Sequence, residues 1–240
     1  MKKFRMLPAL LLVIALTAGL MPARAAGKLK IQEETLLYYE DFDGVTRFTY
    51  SAIVENIGKD TTTMLESDFS LLAKGNVALY QTSGHLDMYP QALKPGETGV
   101  ISIDGALPEG KTKKNVSGHK LNLNWADEAF PVIARYPAAG EYFVINEDDP
   151  DMLLAGIQAV VSNNTDSAAF DLSYAAILKG QKGKMLTALT GYIVDVGVPA
   201  GGKILLRNYL DHNLEATMRE NKLAPASVEV VAFTQQYDDY

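Results

Sequence analysis

The 240-residue chain has no cysteine, one tryptophan and three histidines. Without thiols there is no disulfide, no thiolate metal site and no lipid-modified cysteine, so apolar cores alone must hold the fold. The histidines, His85, His119 and His212, are scattered and show neither H-x-x-x-H nor H-E-x-x-H spacing, so no zinc signature exists. There is no G-x-S-x-G elbow. Gly180-Gln181-Lys182-Gly183-Lys184 lacks the spacing of a phosphate-binding loop and reads as a β-turn. Positive charge is also scarce, with 22 Lys and Arg against 29 Asp and Glu and a formal net charge of −7. That balance argues against nucleic acid, which needs a concentrated basic face. No cofactor and no metal is expected.

The basic residues are unevenly placed. Lys2, Lys3 and Arg5 precede an apolar run over 7–20, and Ala23-Arg24-Ala25 supplies small residues at a cleavage site. Residues 1–25 therefore read as a signal peptide. The run is shorter than the ~20 residues of a spanning helix, so no membrane span is expected after cleavage. Cleavage leaves 240 − 25 = 215 residues and, with Lys2, Lys3, Arg5 and Arg24 gone, takes the charge from −7 to −11. The expected location is outside the membrane, secreted or in the cell envelope. No sorting motif or apolar tail follows residue 228, so covalent wall anchoring is not expected.

What remains is a stretch used twice. Ala52-Ile53-Val54-Glu55-Asn56, Lys74-Gly75 and Leu93-Lys94-Pro95-Gly96 return as Ala159-Val160-Val161-Ser162-Asn163, Lys179-Gly180 and Val198-Pro199-Ala200-Gly201. Asn163 − Asn56 is 107, whereas Gly180 − Gly75 and Gly201 − Gly96 are both 105. One two-residue deletion after the asparagine aligns the halves. A period near a hundred residues fits two copies of a small domain. The expected division is 26–136 and 137–240, with 126–140 as a partly extended link and each fragment able to fold alone.

Within each copy the pattern is β. Phe48, Tyr50, Ala52 and Val54 alternate onto one face, as do Phe69, Leu71 and Ala73, and later Leu172, Tyr174, Ala176 and Leu178. Leu121, Leu123 and Trp125 close the first copy and match Val228, Val230 and Ala232 at the offset of 107. Only 211–222 departs: Asp211 can cap, Leu214 and Met218 lie four apart, and Pro225 follows, which predicts a short helix. The fold class expected is all-β, two tandem immunoglobulin-like β-sandwiches with a short helix in the second.

Each copy resembles the FxLYD family, immunoglobulin-like domains of bacterial secreted proteins. Val54-Glu55-Asn56 and Val161-Ser162-Asn163 match its Val-x-Asn strand end, and Pro95-Gly96 its Pro-Gly turn. Phe69-Ser70-Leu71-Leu72-Ala73 keeps the phenylalanine and first leucine but not the tyrosine and aspartate, and Tyr174-Ala175-Ala176-Ile177-Leu178 keeps the aromatic type alone. The resemblance implies the sandwich fold and export and brings no catalytic residues.

The residues singled out are therefore structural turns: Asn56, Asn163, Gly75, Gly180, Gly96 and Gly201. An asparagine ending a strand takes a left-handed conformation or hydrogen-bonds the chain two residues on. The acidic stretches Glu40-Asp41-Phe42-Asp43 and Glu147-Asp148-Asp149-Pro150-Asp151 read as turns rather than calcium ligands, and the lysine cluster Lys111, Lys113, Lys114 and Lys120 as a solvated loop. The function expected is non-enzymatic binding, spacing or assembly with a protein or polymer outside the membrane. The alternatives are a carbohydrate- or peptide-binding module, for which an exposed aromatic cluster would speak, and an enzyme, for which Asp, His and Ser converging between the copies would speak.

Overall fold

Short alternating runs punctuated by turn residues fold as antiparallel strands. A computed structural model describes residues 28–82, 86–127, 131–146, 148–149, 153–194 and 196–236. The first half holds β1 (Leu29–Glu40), β2 (Thr46–Asn56), β3 (Thr62–Met64), β4 (Asp68–Ala73), β5 (Val77–Gln81), β6 (Met88–Tyr89), β7 (Ala92–Leu93), β8 (Thr98–Ala106), β9 (Gly118–Asn122) and β10 (Trp125–Ala126). The second holds β11 (Val132–Tyr136), β12 (Ala138–Ile145), β13 (Leu154–Ser162), β14 (Leu172–Lys179), β15 (Met185–Ile193), β16 (Lys203–Tyr209), the helix α1 (His212–Glu220) and β17 (Ser227–Gln236). The fold is all-β with this one helix. The expected signal peptide, 1–25, lies outside the described residues.

Four sheets stack as layers: β5-β4-β9, β1-β2-β8-β6, β11-β17-β14-β15 and β12-β13-β16, with the small ladder β10-β3-β7 beside the first pair. Phe48, Tyr50, Ala52 and Val54 of β2 meet Phe69 and Leu71 of β4 in the first core, and all six are fully buried. Ile157, Ala159 and Val161 of β13 meet Leu172, Tyr174, Ala176 and Leu178 of β14 in the second. Asp211 caps α1 through bonds from the Asn213 and Leu214 amides, and Leu214 and Met218 enter that second core.

A third apolar cluster joins the halves. Val100 packs on Ala175, Ile177, Met185 and Ala188, with Ile53 and Tyr89 against them. Polar groups fit around it. The Ser51 hydroxyl accepts from the Ala188 amide at 3.0 Å, and Ser102 donates to the Ala188 carbonyl at 2.9 Å. Glu33 accepts from the Met185 amide at 2.8 Å. Strands β2 and β14 are therefore covered on both faces, and Thr49 and Ser51 are buried although alternation placed them outward. Tyr39 of β1 reaches into the second core. Burial there, with the Asp211 and Asp104 carboxylates, pushes its hydroxyl up to about 12.

Two sequence expectations change here. The stretch 126–140 is not a link: Val132–Tyr136 pairs with Ala232–Gln236 of β17, and β12 begins immediately after Pro137. Val132, Ile133 and Tyr136 are strand-forming residues that find a sheet edge in the second half, so a boundary at 136 would strip that edge. The closing strands also match at another offset. Phe69 faces Leu121, and its counterpart Tyr174 (69 + 105) faces Ala232, so the offset there is 232 − 121 = 111. The loop before β9 holds a 3-10 turn, Lys113–Asn115, whereas α1 and its exit precede β17, and that insertion lengthens the second copy.

Candidate interaction surface

The repeated asparagines occupy the same place in the two halves. The Asn56 side-chain amide donates to the Asp60 and Leu93 carbonyls, both at 2.8 Å, and its oxygen accepts from the Gly58 amide at 2.9 Å. The Asn163 amide donates to Ser167 at 2.8 Å and Val198 at 2.9 Å, and its oxygen accepts from Thr165 at 3.1 Å. The local partners lie two and four residues on in both halves. The distant one lies 93 − 56 = 37 residues on in the first and 198 − 163 = 35 in the second, which is the two-residue deletion. Both side chains are buried, 0% and 1% exposed, and of the two conformations open to them both take the hydrogen-bonded one.

Gly75, Gly96 and Gly201 sit at turns with φ of 81°, 76° and 69°, where a side chain would be strained. Gly180 differs. It opens its turn, donating to the Lys184 carbonyl at 2.8 Å, and the positive φ of 71° falls on Gly183.

The other sequence candidates are spread out. Asp41 accepts from the Asp43 and Val45 amides and from Arg47, so the first acidic turn uses its own carboxylate, which these bonds hold below the usual range. Glu147, Pro150 and Asp151 of the second lie outside the described residues, as does His85. Among the described residues no three His, Asp or Glu side chains stand together as a metal site. His212 opens α1 and stacks on Phe42 at 5.9 Å. Lys113 and Lys114 line a groove of about 610 Å³ with Tyr38, Asn213 and Thr217, and Lys113 lies 5.7 Å from the Tyr38 ring. A smaller cleft between the halves, about 290 Å³, is lined by Asp87, Asp171 and Ser173 beside Tyr89 and Tyr192, with no histidine among the described residues of its lining.

A polar group that sequence spacing did not reveal joins β1, β2 and β9. Tyr50, fully buried, donates its hydroxyl to Glu34 at 2.7 Å, and the His119 ring lies 3.2 Å from the same oxygen. Partial burial opposes ionisation of Glu34, but the Tyr50 and His119 bonds outweigh it and lower its pKa. A carboxylate with a lowered folded pKa stabilises fully above its unfolded value of about 4.5, and that contribution fades as pH falls through the folded value. Urea midpoints followed from neutral to acidic pH should therefore show a loss below about pH 4.5 that Glu34→Gln lacks in part. An unchanged pH slope would remove Glu34 from this role.

The outer side of the β12-β13-β16 sheet is the one large open face that the repeat allows to be compared. Its residues form cross-strand rows: Ala139, Val160 and Leu205; Glu141, Gln158 and Arg207; Phe143, Gly156 and Tyr209; then Ile145 and Leu154. Val160 is 42% exposed, Leu205 53% and Tyr209 46%. A Cβ on Gly156 would lie 2.1 Å from the Asn208 carbonyl oxygen, so glycine is required there. In the same row the Phe143 and Tyr209 rings meet edge to face with centroids 5.5 Å apart. In the middle row Arg207 donates to Gln158 at 3.1 Å, and Gln158 donates to Glu141.

The repeat gives this face a counterpart. Ser51 and Ile53 become Gln158 and Val160 at an offset of 107, and Val100 and Ser102 become Leu205 and Arg207 at 105. In the first half these positions lie under β14 and β15. In the second they face outward.

No family model matches the chain, and no curated protein matches it. Among solved structures it is similar to a transglutaminase of red sea bream at 10% identity, over 98% of this chain and 32% of that one, with a TM-score of 0.23. It is also similar to the secreted serine protease VesC of Vibrio cholerae at 9% identity, over 80% and 47% of the two chains, with a TM-score of 0.20. The chain spans less than half the length of either. At these TM-scores the likeness carries no argument about activity. Among the described residues no helix is long and apolar enough to cross a membrane.

Proposed function

We propose that the chain is an exported, non-enzymatic binding or assembly protein, built from two FxLYD-like, immunoglobulin-like units docked as one body. The outer face of β12-β13-β16 is its contact surface. One observation carries the reading: the first half covers Ile53 and Val100 of its copy of this face with a sheet, and the second half presents the equivalent Val160 and Leu205 to solvent. Exposed apolar residues gathered on one face mark interaction sites, and here two apolar rows flank a charged one. A sheet face can dock another sheet at about 10 Å through interleaved side chains. The leader-like segment 1–25 and the acidic, cysteine-free composition support export to the envelope or beyond.

Among the described residues the cleft between the halves brings Asp87, Asp171 and Ser173 into one lining. The Phe143–Tyr209 pair favours a carbohydrate ligand less than a protein one, because rings at 87° do not form a flat stacking platform. A photo-crosslinking residue placed at position 205 should give adducts in the exporting cell, while one at position 81, exposed on β5, should not. No adduct at 205 would remove this face from the function.

A further inference from the structure

We propose that the occupant of the β12-β13-β16 face is a second copy of this chain, docked face to face about a two-fold axis running along β13. This rests on the reading of that face as the contact surface and names what fills it.

The face is complementary to itself. A two-fold axis along the central strand keeps β13 over the partner's β13 and lays β12 over the partner's β16. In the first row Ala139 then faces Leu205 of the partner, Val160 faces Val160, and Leu205 faces Ala139, so small residues meet large ones and the central pair matches itself. In the second row Glu141 faces Arg207 of the partner twice over, with Gln158 on the axis. Within the chain Gln158 relays hydrogen bonds between these two charges, and neither takes an ion-pair partner among the described residues. In the third row Phe143 faces Tyr209. All charge on this part of β12 is acidic, from Glu141, and all charge on β16 is basic, from Lys203 and Arg207. A like-charged or one-signed face would repel its own copy; this one does not.

A head-to-tail repeat of the internal contact is disfavoured. That contact depends on Ser51 and Ser102, whose hydroxyls reach the Ala188 backbone. Their counterparts, Gln158 and Arg207, are long side chains that would fill the space where β15 lies. Ring or filament growth by the same joint is thereby blocked, and a closed dimer remains.

The size of the face sets the strength. About eight residues per strand at ~3.3 Å and three strands ~4.8 Å apart span about 26 by 14 Å. The total area buried by the two faces is then about 700 Å², below the ~1,200 Å² at which specific, stable interfaces begin and in the range of weak, transient ones. The dimer is therefore a weak one that forms in the micromolar range and saturates at two.

Sedimentation velocity of the chain purified from the exporting cell, across micromolar concentrations, is the test. The expected result is a concentration-dependent dimer with nothing larger. Glu141→Arg and Arg207→Glu each replace attraction with repulsion twice and should each weaken the dimer by at least about tenfold. Mixing the two variants should restore association, because each contact then pairs opposite charges again. All these positions are exposed, and circular dichroism of each variant should match the wild type. A monomer at every concentration overturns the proposal, and so does polymer without a ceiling or a mixture that stays monomeric. If the chain is monomeric while crosslinks at position 205 persist in cells, the face binds something else and the functional reading survives. If both are absent, both fail.

Discussion

Replacing Asn163 with alanine should lower the stability of the chain by about 3 kcal/mol. The side chain makes at least three hydrogen bonds to backbone groups, and at 1% exposure no water stands ready to replace them. A net loss of about 1 kcal/mol per bond, with more where a buried carbonyl or amide is left alone, gives that figure. The change should appear in urea unfolding as a lower midpoint with an unchanged slope, since the surface exposed on unfolding is the same. Asn56→Ala should cost a similar amount, because its amide ties the strand end to Asp60 and Leu93 with the same geometry. A ligand role would predict the opposite pattern, with stability kept and binding lost. Neither side chain reaches solvent, so neither can touch a ligand. A loss below about 1 kcal/mol for either variant would mean that other groups hold the turn.

That the clamp was legible follows from its being local. An asparagine that bonds residues two and four places on leaves a short, position-specific trace, and two copies of it survive at a fixed interval. The cores were legible for the same kind of reason: period-two alternation in β2 and β4 marks Phe48, Tyr50, Phe69 and Leu71 as one layer, and they are fully buried together. Asp211, Leu214, Met218 and Pro225 marked the helix, again by spacing within a few residues.

What alternation cannot convey is what lies on the other side of a sheet. Thr49 and Ser51 fall on the face that period-two reading assigns to water, yet they are buried, because a second sheet covers them. Small hydroxyl residues suit both places, so their identity is silent. The edge strand β11 was missed for a related reason. Pro131 and Pro137 bracket it and look like linker punctuation, whereas proline is also at home beside an edge strand that needs few ladder bonds. The open face of β12-β13-β16 could be recognised only by comparison, once the register aligned Val100 with Leu205 and Ser102 with Arg207.

Val100→Asp should be the most damaging of the single changes, costing at least about 4 kcal/mol, because it places a carboxylate with no partner among Ala175, Ile177, Met185 and Ala188. Val100 is 2% exposed, and its packing neighbours are apolar, with the Ser51, Ser102 and Glu33 bonds to the β15 backbone nearby. Since this cluster is the apolar contact between the two middle sheets, with Tyr39 in the second core beside it, the wild type should unfold in one calorimetric transition and the variant in two. Separate pieces cut at 28–127 and 131–236 should each be less stable than the whole, as each exposes one side of the cluster; a cut at 136 should be worse, because it removes β11 from β17. The repeat provides the control. Leu205→Asp alters the equivalent position on β16, and there the side chain is 53% exposed, so the monomer should lose no more than about 0.5 kcal/mol. If the two substitutions cost the same, the covered and open faces are not the physical opposites that the register makes them. If Val100→Asp leaves a single transition at nearly the wild-type temperature, the halves are not held together by this cluster.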